Sequence, residues 1–114
     1  MDLIDRAVAV LKPNEPYLEW ALGLPDAPAD LTLQELRSDC TAFLIPEFDL
    51  DQEVEDLLRE IYPALFELEL EGWYRDERFW PQPRDYETFR AWFDVEISST
   101  VIDLVEDEIA KEEY

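Results

Sequence analysis

Three short apolar runs, spaced well apart along the chain, most limit the folds that this sequence can adopt. Residues 7–11 and 41–45 are continuous apolar stretches that each stop at a proline-containing segment, as buried strands do. Residues 95–102 alternate apolar and polar side chains, which is typical of a strand with one solvated face. Helical patterns separate the runs, so we predict the order β-α-α-β-α-α-β. This order predicts an α+β fold, a two-layer sandwich in which helices pack on one face of a small three-stranded sheet, mixed or antiparallel.

Capping signals place the short helices between these runs. Asn14 can cap the first helix, whose apolar residues fall at helical spacing. Thr32 and Glu35 form a capping box, in which each side chain can bond an unpaired backbone N–H at the start of the second helix. Asp85 caps the last helix, which we expect to carry its aromatic residues as far as Phe93.

A long amphipathic helix is predicted in the middle of the chain. Apolar residues recur there at steps of three and four, and either Asp49 or Asp51 would cap the start. Pro63 interrupts the pattern, so we expect a kink or two abutting helices. Residues 66–71 also alternate apolar and acidic side chains as a strand would, but the helical stripe continues through them and favours a helix.

The chain has a formal charge of −21, with thirty acidic residues against nine basic ones, of which only two are lysines. Residues 1–57 carry −11 of this charge and residues 58–114 carry −10, so the whole surface is anionic. Such a surface offers no footprint for nucleic acid or for an anionic membrane, and we expect neither as a partner. Three interpretations stay open: adaptation to high salt, an acidic face for a basic partner, or a surface that is simply well solvated.

The hydrophobic content of 47%, with 13% aromatic residues, is sufficient for a packed core. We therefore expect residues 1–114 to form a single acidic α+β domain. The first ten residues lack the basic region of a signal peptide, and no apolar stretch approaches the length of a membrane span. The expected protein is soluble and cytoplasmic.

The side chains most used in catalysis and metal binding are scarce in this chain. It contains no histidine, which removes the commonest general base and transition-metal ligand. The single cysteine, Cys40, precedes an apolar run, where a buried structural thiol is expected. Acids between Asp49 and Glu60 match part of a calcium-binding loop, but Val54 stands where that loop needs glycine. We predict no enzymatic activity, no catalytic residue, no cofactor and no metal site.

An aromatic and arginine-rich segment, residues 73–93, is the strongest indication of a binding surface. It holds eight aromatic residues, and its four arginines balance four acids within a strongly anionic chain. Tryptophan, tyrosine and arginine are enriched at the energetically important positions of protein interfaces. The alternative is that the aromatic rings fill the core and the arginines pair locally with acids. The predicted partner-binding residues are Trp73, Tyr74, Arg75, Arg78, Phe79, Trp80 and Arg84.

Several short motifs occur together along the chain. They are Lys12-Pro13 followed by Pro16 and Trp20, the strand and proline at 41–46, Trp73-Tyr74 with Trp80-Pro81, and Trp92-Phe93-Asp94. Together they resemble a family of small bacterial proteins that has no assigned activity. The resemblance spans most of the chain and implies a bacterial source and a single domain, but it brings no site residues.

These observations predict a non-enzymatic protein that binds another protein through the loop at residues 73–84. The alternative is an acidic inhibitor or immunity-type protein whose anionic face covers a basic partner such as a nuclease. The sequence predicts no particular oligomeric state.

Overall fold

The computed structural model describes residues 1–49 and 51–114, without the side chains of Asp51 and Gln52. Over these residues the fold is α+β, with four α-helices packed against two small antiparallel sheets. In chain order the elements are β1 (Asp2–Leu3), β2 (Ala7–Pro13), α1 (Glu15–Leu22), α2 (Leu33–Ser38), β3 (Ala42–Ile45), α3 (Asp51–Trp73), a 3₁₀ turn (Glu77–Phe79), α4 (Tyr86–Trp92), β4 (Phe93–Ser98) and β5 (Ile102–Asp103).

The larger sheet has the strand order β3-β2-β4, and both strand pairs are antiparallel. The central strand β2 alternates buried and half-buried residues along its length, since successive side chains point to opposite faces. Ala7, Ala9 and Leu11 lie on the buried face, while Val8 and Val10 lie on the other. The predicted three-stranded sheet is confirmed, and of the two pairings left open it has the antiparallel one.

The core lies between the buried face of this sheet and the helices. All four helices contribute side chains to its main cluster, which also contains residues of β2 and β4. Each large apolar side chain buried in this way contributes on the order of 1.5–3 kcal/mol relative to exposure. The largest fully buried side chains are Phe66, Phe89, Phe93, Leu11 and Leu70.

Two of the predicted helix caps are confirmed by hydrogen bonds. The Oγ1 of Thr32 accepts the Glu35 N–H at 3.2 Å, which is the predicted cap. The Glu35 carboxylate accepts the Thr32 hydroxyl at 3.2 Å and not a backbone N–H, so only the Thr32 half of the capping box is confirmed. The Asp85 carboxylate accepts the N–H of Thr88 at 2.8 Å, and α4 begins at Tyr86, directly after Asp85. Both cap bonds satisfy backbone donors that the first helical turn leaves unpaired.

Asn14 precedes α1 as predicted, but its side chain does not cap the helix. Its amide nitrogen lies 3.2 Å from the Asp94 carboxylate, and its Oδ1 accepts a hydrogen bond from Arg37 at 2.9 Å. Arg37 also bonds Asp94 and the Pro13 carbonyl. The side chain of Asn14 therefore joins α2 to the start of β4, a contact between residues far apart in sequence.

The long helix α3 runs without interruption through Pro63, so the expectation of two abutting helices is wrong. An interior proline costs a helix a backbone hydrogen bond, but the apolar stripe of α3 buries enough surface to hold the helix together. The predicted cap by Asp49 or Asp51 stays a prediction, because Leu50 and the side chain of Asp51 lie outside the described residues. The N–H of Asp49 donates to the Glu53 carboxylate at 2.8 Å. The buried residues of the stripe are Leu58, Leu65, Phe66 and Leu70.

The C-terminal part of the sheet differs from its prediction. Phe93, expected at the end of the last helix, is the first residue of β4 and lies opposite Pro13 of β2. β4 ends at Ser98, and after a break the chain forms β5, which pairs with β1 in a second, two-stranded sheet. No local pattern signals this second sheet, because each of its strands has two residues and its pairing joins the two ends of the chain.

Candidate binding site at the sheet edge

The loop predicted to bind a partner divides into a structural part and an exposed part. Trp80 belongs to the structural part: it is 9% exposed, it packs in the main core cluster, and its indole N–H donates to the Tyr74 carbonyl at 2.7 Å. The guanidinium of Arg84 lies over the Trp80 ring at 5.6 Å and donates to the Pro81 carbonyl. Trp80 and Arg84 therefore stabilise the loop, and the buried Trp80 must be dropped from the predicted surface.

Arg78 is also engaged within the loop. Its Nε and Nη2 contact the Asp76 carboxylate at 2.7–3.2 Å, a bidentate ion pair in which the arginine side chain stays largely exposed. The neighbouring Phe79 is 42% exposed, while its carbonyl accepts the indole N–H of Trp20 at 2.8 Å. Arg78 thus pairs locally with an acid, as the alternative interpretation of the aromatic segment expected.

Trp73, Tyr74 and Arg75 form the exposed part. Trp73 is 36% exposed and lies on the last turn of α3, not in the loop where the sequence placed it. Tyr74 is half-buried and stacks edge-on against Phe79, with ring centroids 5.4 Å apart. Arg75 is exposed. Of these residues, Trp73 stands beside a concave feature of the described surface.

This feature is a cavity of about 530 Å³ between β3 and the C-terminal turns of α3. Its volume lies within the range of pockets that hold ligands. We call it the sheet-edge cavity. Apolar and aromatic side chains make up most of its lining, which consists of Tyr17, Thr41, Ala42, Phe43, Leu44, Leu68, Glu69, Gly72, Trp73 and Tyr114.

Tyr17 of α1 forms the floor of the sheet-edge cavity and fixes its shape. Its ring is 3% exposed and stands edge-on to Trp73 at 6.3 Å, and its hydroxyl donates to the Glu69 carbonyl at 3.2 Å. Burial raises the pKa of Tyr17, and the nearby charge of Glu69 raises it further. The phenol therefore remains a neutral hydrogen-bond donor and packing group.

Glu69 is the acid that lines the sheet-edge cavity. Leu65, Glu69 and Trp73 are four residues apart on α3, so they lie on one face of the helix. Burial raises the pKa of the Glu69 carboxyl, against a smaller lowering by the side chain of Thr41. The five ion pairs in the described part of the chain all involve other acids, so Glu69 has no cationic partner among these residues.

The outer edge of β3 borders the same cavity. Within the described residues β3 pairs with β2 alone, and the Leu11 N–H donates to the Thr41 carbonyl at 3.3 Å. In an antiparallel ladder hydrogen-bonded pairs alternate with non-bonded pairs. Thr41 and Phe43 therefore direct their backbone groups towards β2, whereas the N–H and C=O groups of Ala42 and Leu44 point away from the sheet.

Two shallower hollows adjoin the sheet-edge cavity. One, of about 320 Å³, shares Trp73 with the cavity and is otherwise lined by Tyr74 and by residues of α1 and the loop after it. The other, of about 450 Å³, shares Gly72 and Tyr114 with the cavity. Its remaining lining residues are three acids and one arginine, namely Glu71, Glu112, Glu113 and Arg75. An apolar cavity therefore lies beside an acidic rim.

Most of the cavity could not be found from the sequence. Tyr17, Phe43 and Tyr114 lie far apart along the chain and meet only in the fold. Glu69 did leave a signal, because an acid at the position where the apolar stripe of α3 should continue is unusual.

Features associated with catalysis or metal binding do not converge on the cavity. Within residues 1–49 and 51–114, no group of three or more potential acidic or cysteine ligands is placed to hold a metal ion. Cys40 is half-buried, its thiol lies 3.5 Å from the Arg37 carbonyl, and burial raises its pKa, which disfavours the reactive thiolate. Among the described helices, none is both long enough and apolar enough to cross a membrane.

Comparison of the chain with family models, with curated proteins and with solved structures found no match. The resemblance to a family of small bacterial proteins therefore stays a prediction.

Proposed function

We propose that this protein is a non-enzymatic binding module that adds an extended segment of a partner protein to the outer edge of β3. One observation carries the proposal: the outward backbone groups of Ala42 and Leu44 lie directly beside the sheet-edge cavity. Peptides that extend a sheet gain affinity from main-chain hydrogen bonds and specificity from pockets for alternate side chains. β3 and the cavity together offer both kinds of contact.

The four residues of β3 include neither a charged residue nor a proline, which are two of the features that usually prevent such pairing. Exposed edges are commonly protected by lysine, by proline or by inward-pointing charges. The four residues of β3 are all apolar, and Leu44 is 55% exposed. The opposite edge, β4, carries Asp94 and Glu96, which are held in ion pairs with Arg37 and Lys12. This difference between the two edges favours β3 as the docking strand.

Trp73 gives this docking site a side chain of the kind that anchors interfaces. It is partly exposed, and it lines both the sheet-edge cavity and the hollow next to it. Partly buried tryptophans surrounded by apolar contacts dominate the binding energy of many interfaces. The proposed binding site thus includes Trp73 and Tyr74, which were predicted from the sequence. It does not include Trp80, and it adds the edge of β3.

The substitution Ala42→Pro tests the edge pairing. Proline is tolerated at the first residue of an edge strand, and here it removes an outward N–H without removing a bond to β2. Extended peptides selected from a random display library against the wild-type protein should bind Ala42→Pro about tenfold more weakly or worse. Ala42→Val alters the same side chain but keeps the N–H, so it should bind much more strongly than Ala42→Pro does. Equal binding to all three proteins would contradict the proposal.

A second candidate function is supported by the charge. A net charge of −21, spread over both halves of the chain, suits an inhibitor that covers a basic protein with its anionic surface. Such a complex would form much more slowly at about 1 M salt than at about 0.15 M, because the Debye length falls from about 8 Å to about 3 Å. It would also tolerate Ala42→Pro, which edge pairing would not.

A further inference from the structure

We propose that the sheet-edge cavity receives the cationic end of a lysine or arginine side chain from the partner segment, with Glu69 as the counter-charge. This inference rests on the proposed function, since it identifies the side chain that the docked segment places in the cavity. The partner segment that docks on β3 is then basic and extended. The anionic surface of the protein also favours a basic partner.

The position of Glu69 is the first argument. It is the only acid among the described lining residues of the cavity, and the Thr41 side chain is the polar group beside it. A carboxylate partly removed from water without a cation is unfavourable, and an opposite charge brought into contact offsets part of that cost. A cation that enters the cavity would supply the missing partner.

The aromatic walls are the second argument. The partly exposed Trp73 lines the cavity together with Phe43 and Tyr114, and the buried ring of Tyr17 stands at 73° to Trp73 with centroids 6.3 Å apart. Cations are attracted to the faces of aromatic rings, most strongly to tryptophan, and aromatic cages with such walls recognise ammonium groups. The walls and Glu69 therefore favour the same class of ligand group.

The remaining lining suits the stem of the same side chain. Ala42, Leu44 and Leu68 present apolar surface, against which the methylene groups of lysine or arginine can pack while the charged head reaches further in. A neutral apolar side chain would gain the same contacts but would leave the half-buried Glu69 without a cationic partner. An anionic group would face Glu69 itself and the acidic rim of Glu71, Glu112 and Glu113.

The probes are extended peptides of one sequence that differ only at the central residue, which is arginine, lysine, norleucine or glutamate. Binding is measured by calorimetry at low salt, where charge pairing is strongest. Butylguanidinium is titrated separately, and the indole resonance of Trp73 is followed by NMR. This second arm distinguishes a side chain presented by a peptide from a free guanidinium compound.

Wild type should prefer the arginine and lysine peptides over the norleucine peptide by about tenfold. Glu69→Gln should remove this preference while still binding the norleucine peptide. Glu67→Gln is the matched control, because it makes the same change of charge two residues away on α3 at a position that does not line the cavity. It should keep the preference.

Three other combinations of results would contradict the cation site, the edge pairing or both. If the peptides bind wild type equally and Ala42→Pro abolishes this binding, the cation site is overturned and the edge pairing stands. If no peptide binds but butylguanidinium shifts the Trp73 resonance in wild type and not in Glu69→Gln, the cavity is a site for free cations and the proposed function is overturned. If neither probe binds, both are overturned.

Discussion

Trp73 and Trp80 lie seven residues apart in the same aromatic segment, yet the fold uses them in opposite ways. Trp80 is 9% exposed, and its indole N–H bonds the Tyr74 carbonyl. Trp73 is 36% exposed and borders the sheet-edge cavity. Similar local sequence thus gave one core residue and one candidate binding residue. The difference shows that a cluster of aromatic residues in a sequence indicates core packing before it indicates binding. Only the aromatic residues that the core does not bury are available to bind a partner.

The reason for the difference is where each tryptophan falls relative to α3. Trp73 is the last residue of the helix, so its ring projects from the helix end, beside Tyr17 and the edge of the sheet. The chain then turns through the short 3₁₀ segment and brings Trp80 back onto the core. Two indole groups hold this part of the chain in place, because Trp20 donates to the Phe79 carbonyl and Trp80 donates to the Tyr74 carbonyl.

The largest expected effect is on the stability of Trp80→Ala. Removing a buried tryptophan leaves a cavity in the core and should cost about 3–5 kcal/mol of unfolding free energy. Denaturant unfolding measures this loss. Trp73→Ala is the matched variant, and it should lose less because its side chain is already partly in water. Equal losses of stability for the two variants would show that both tryptophans are core residues.

The next effect is on the binding of Trp73→Ala. If Trp73 anchors the partner segment, its truncation should weaken binding of the selected peptides by about 2 kcal/mol or more. Leu3→Ala is the control, because Leu3 is 74% exposed and does not line the sheet-edge cavity. If the two variants bind the peptides with the same affinity, Trp73 is exposed but takes no part in binding.

A smaller effect is expected from Thr32→Ala, which removes the confirmed cap of α2. The loss should be about 0.5–2 kcal/mol of stability, with peptide affinity unchanged. Thermal or denaturant unfolding and the same calorimetry measure the two quantities. This variant shows whether binding responds to a general loss of stability. Weaker peptide binding in Thr32→Ala would mean that the effect of Trp73→Ala cannot be assigned to the cavity.

The smallest effect is the pH dependence contributed by Glu69. Because its pKa is raised in the folded state, its contribution to stability is fully present below its unfolded value of about 4.3 and is lost as the pH rises through the folded value. Glu69→Gln should therefore gain stability relative to wild type as the pH rises through that range. Tyr17 and Cys40, whose charges interact with Glu69, titrate well above it.

Unfolding of wild type, Glu69→Gln and Glu67→Gln as a function of pH measures this contribution. Glu67→Gln should follow the wild-type curve. A Glu69→Gln protein that is less stable than wild type at neutral pH would contradict the account of Glu69 as a carboxylate held in the cavity at a cost in stability.

Much of the fold could be predicted from local sequence. The runs at 7–11 and 41–45 became β2 and β3, but β3 is a largely exposed edge strand and not the buried strand that was expected. The caps at Thr32 and Asp85 start the helices that they were expected to start. The alternating stretch at 66–71 is helical as predicted, because the stripe of three- and four-residue steps outweighs the shorter alternation. These features depend on residues within about four positions of one another, which the sequence displays directly.

The sequence by itself determined the anionic surface, the α+β class, the central strands and most of the helix starts. Only the tertiary structure decided that Trp80 is buried and Trp73 is not, that Asn14 bonds Asp94 instead of capping α1, and that Glu69 faces a cavity with Tyr17 and Trp73. These outcomes depend on contacts between residues tens of positions apart. Neither periodicity nor capping contains information about such contacts, because both describe only the neighbours of a residue along the chain.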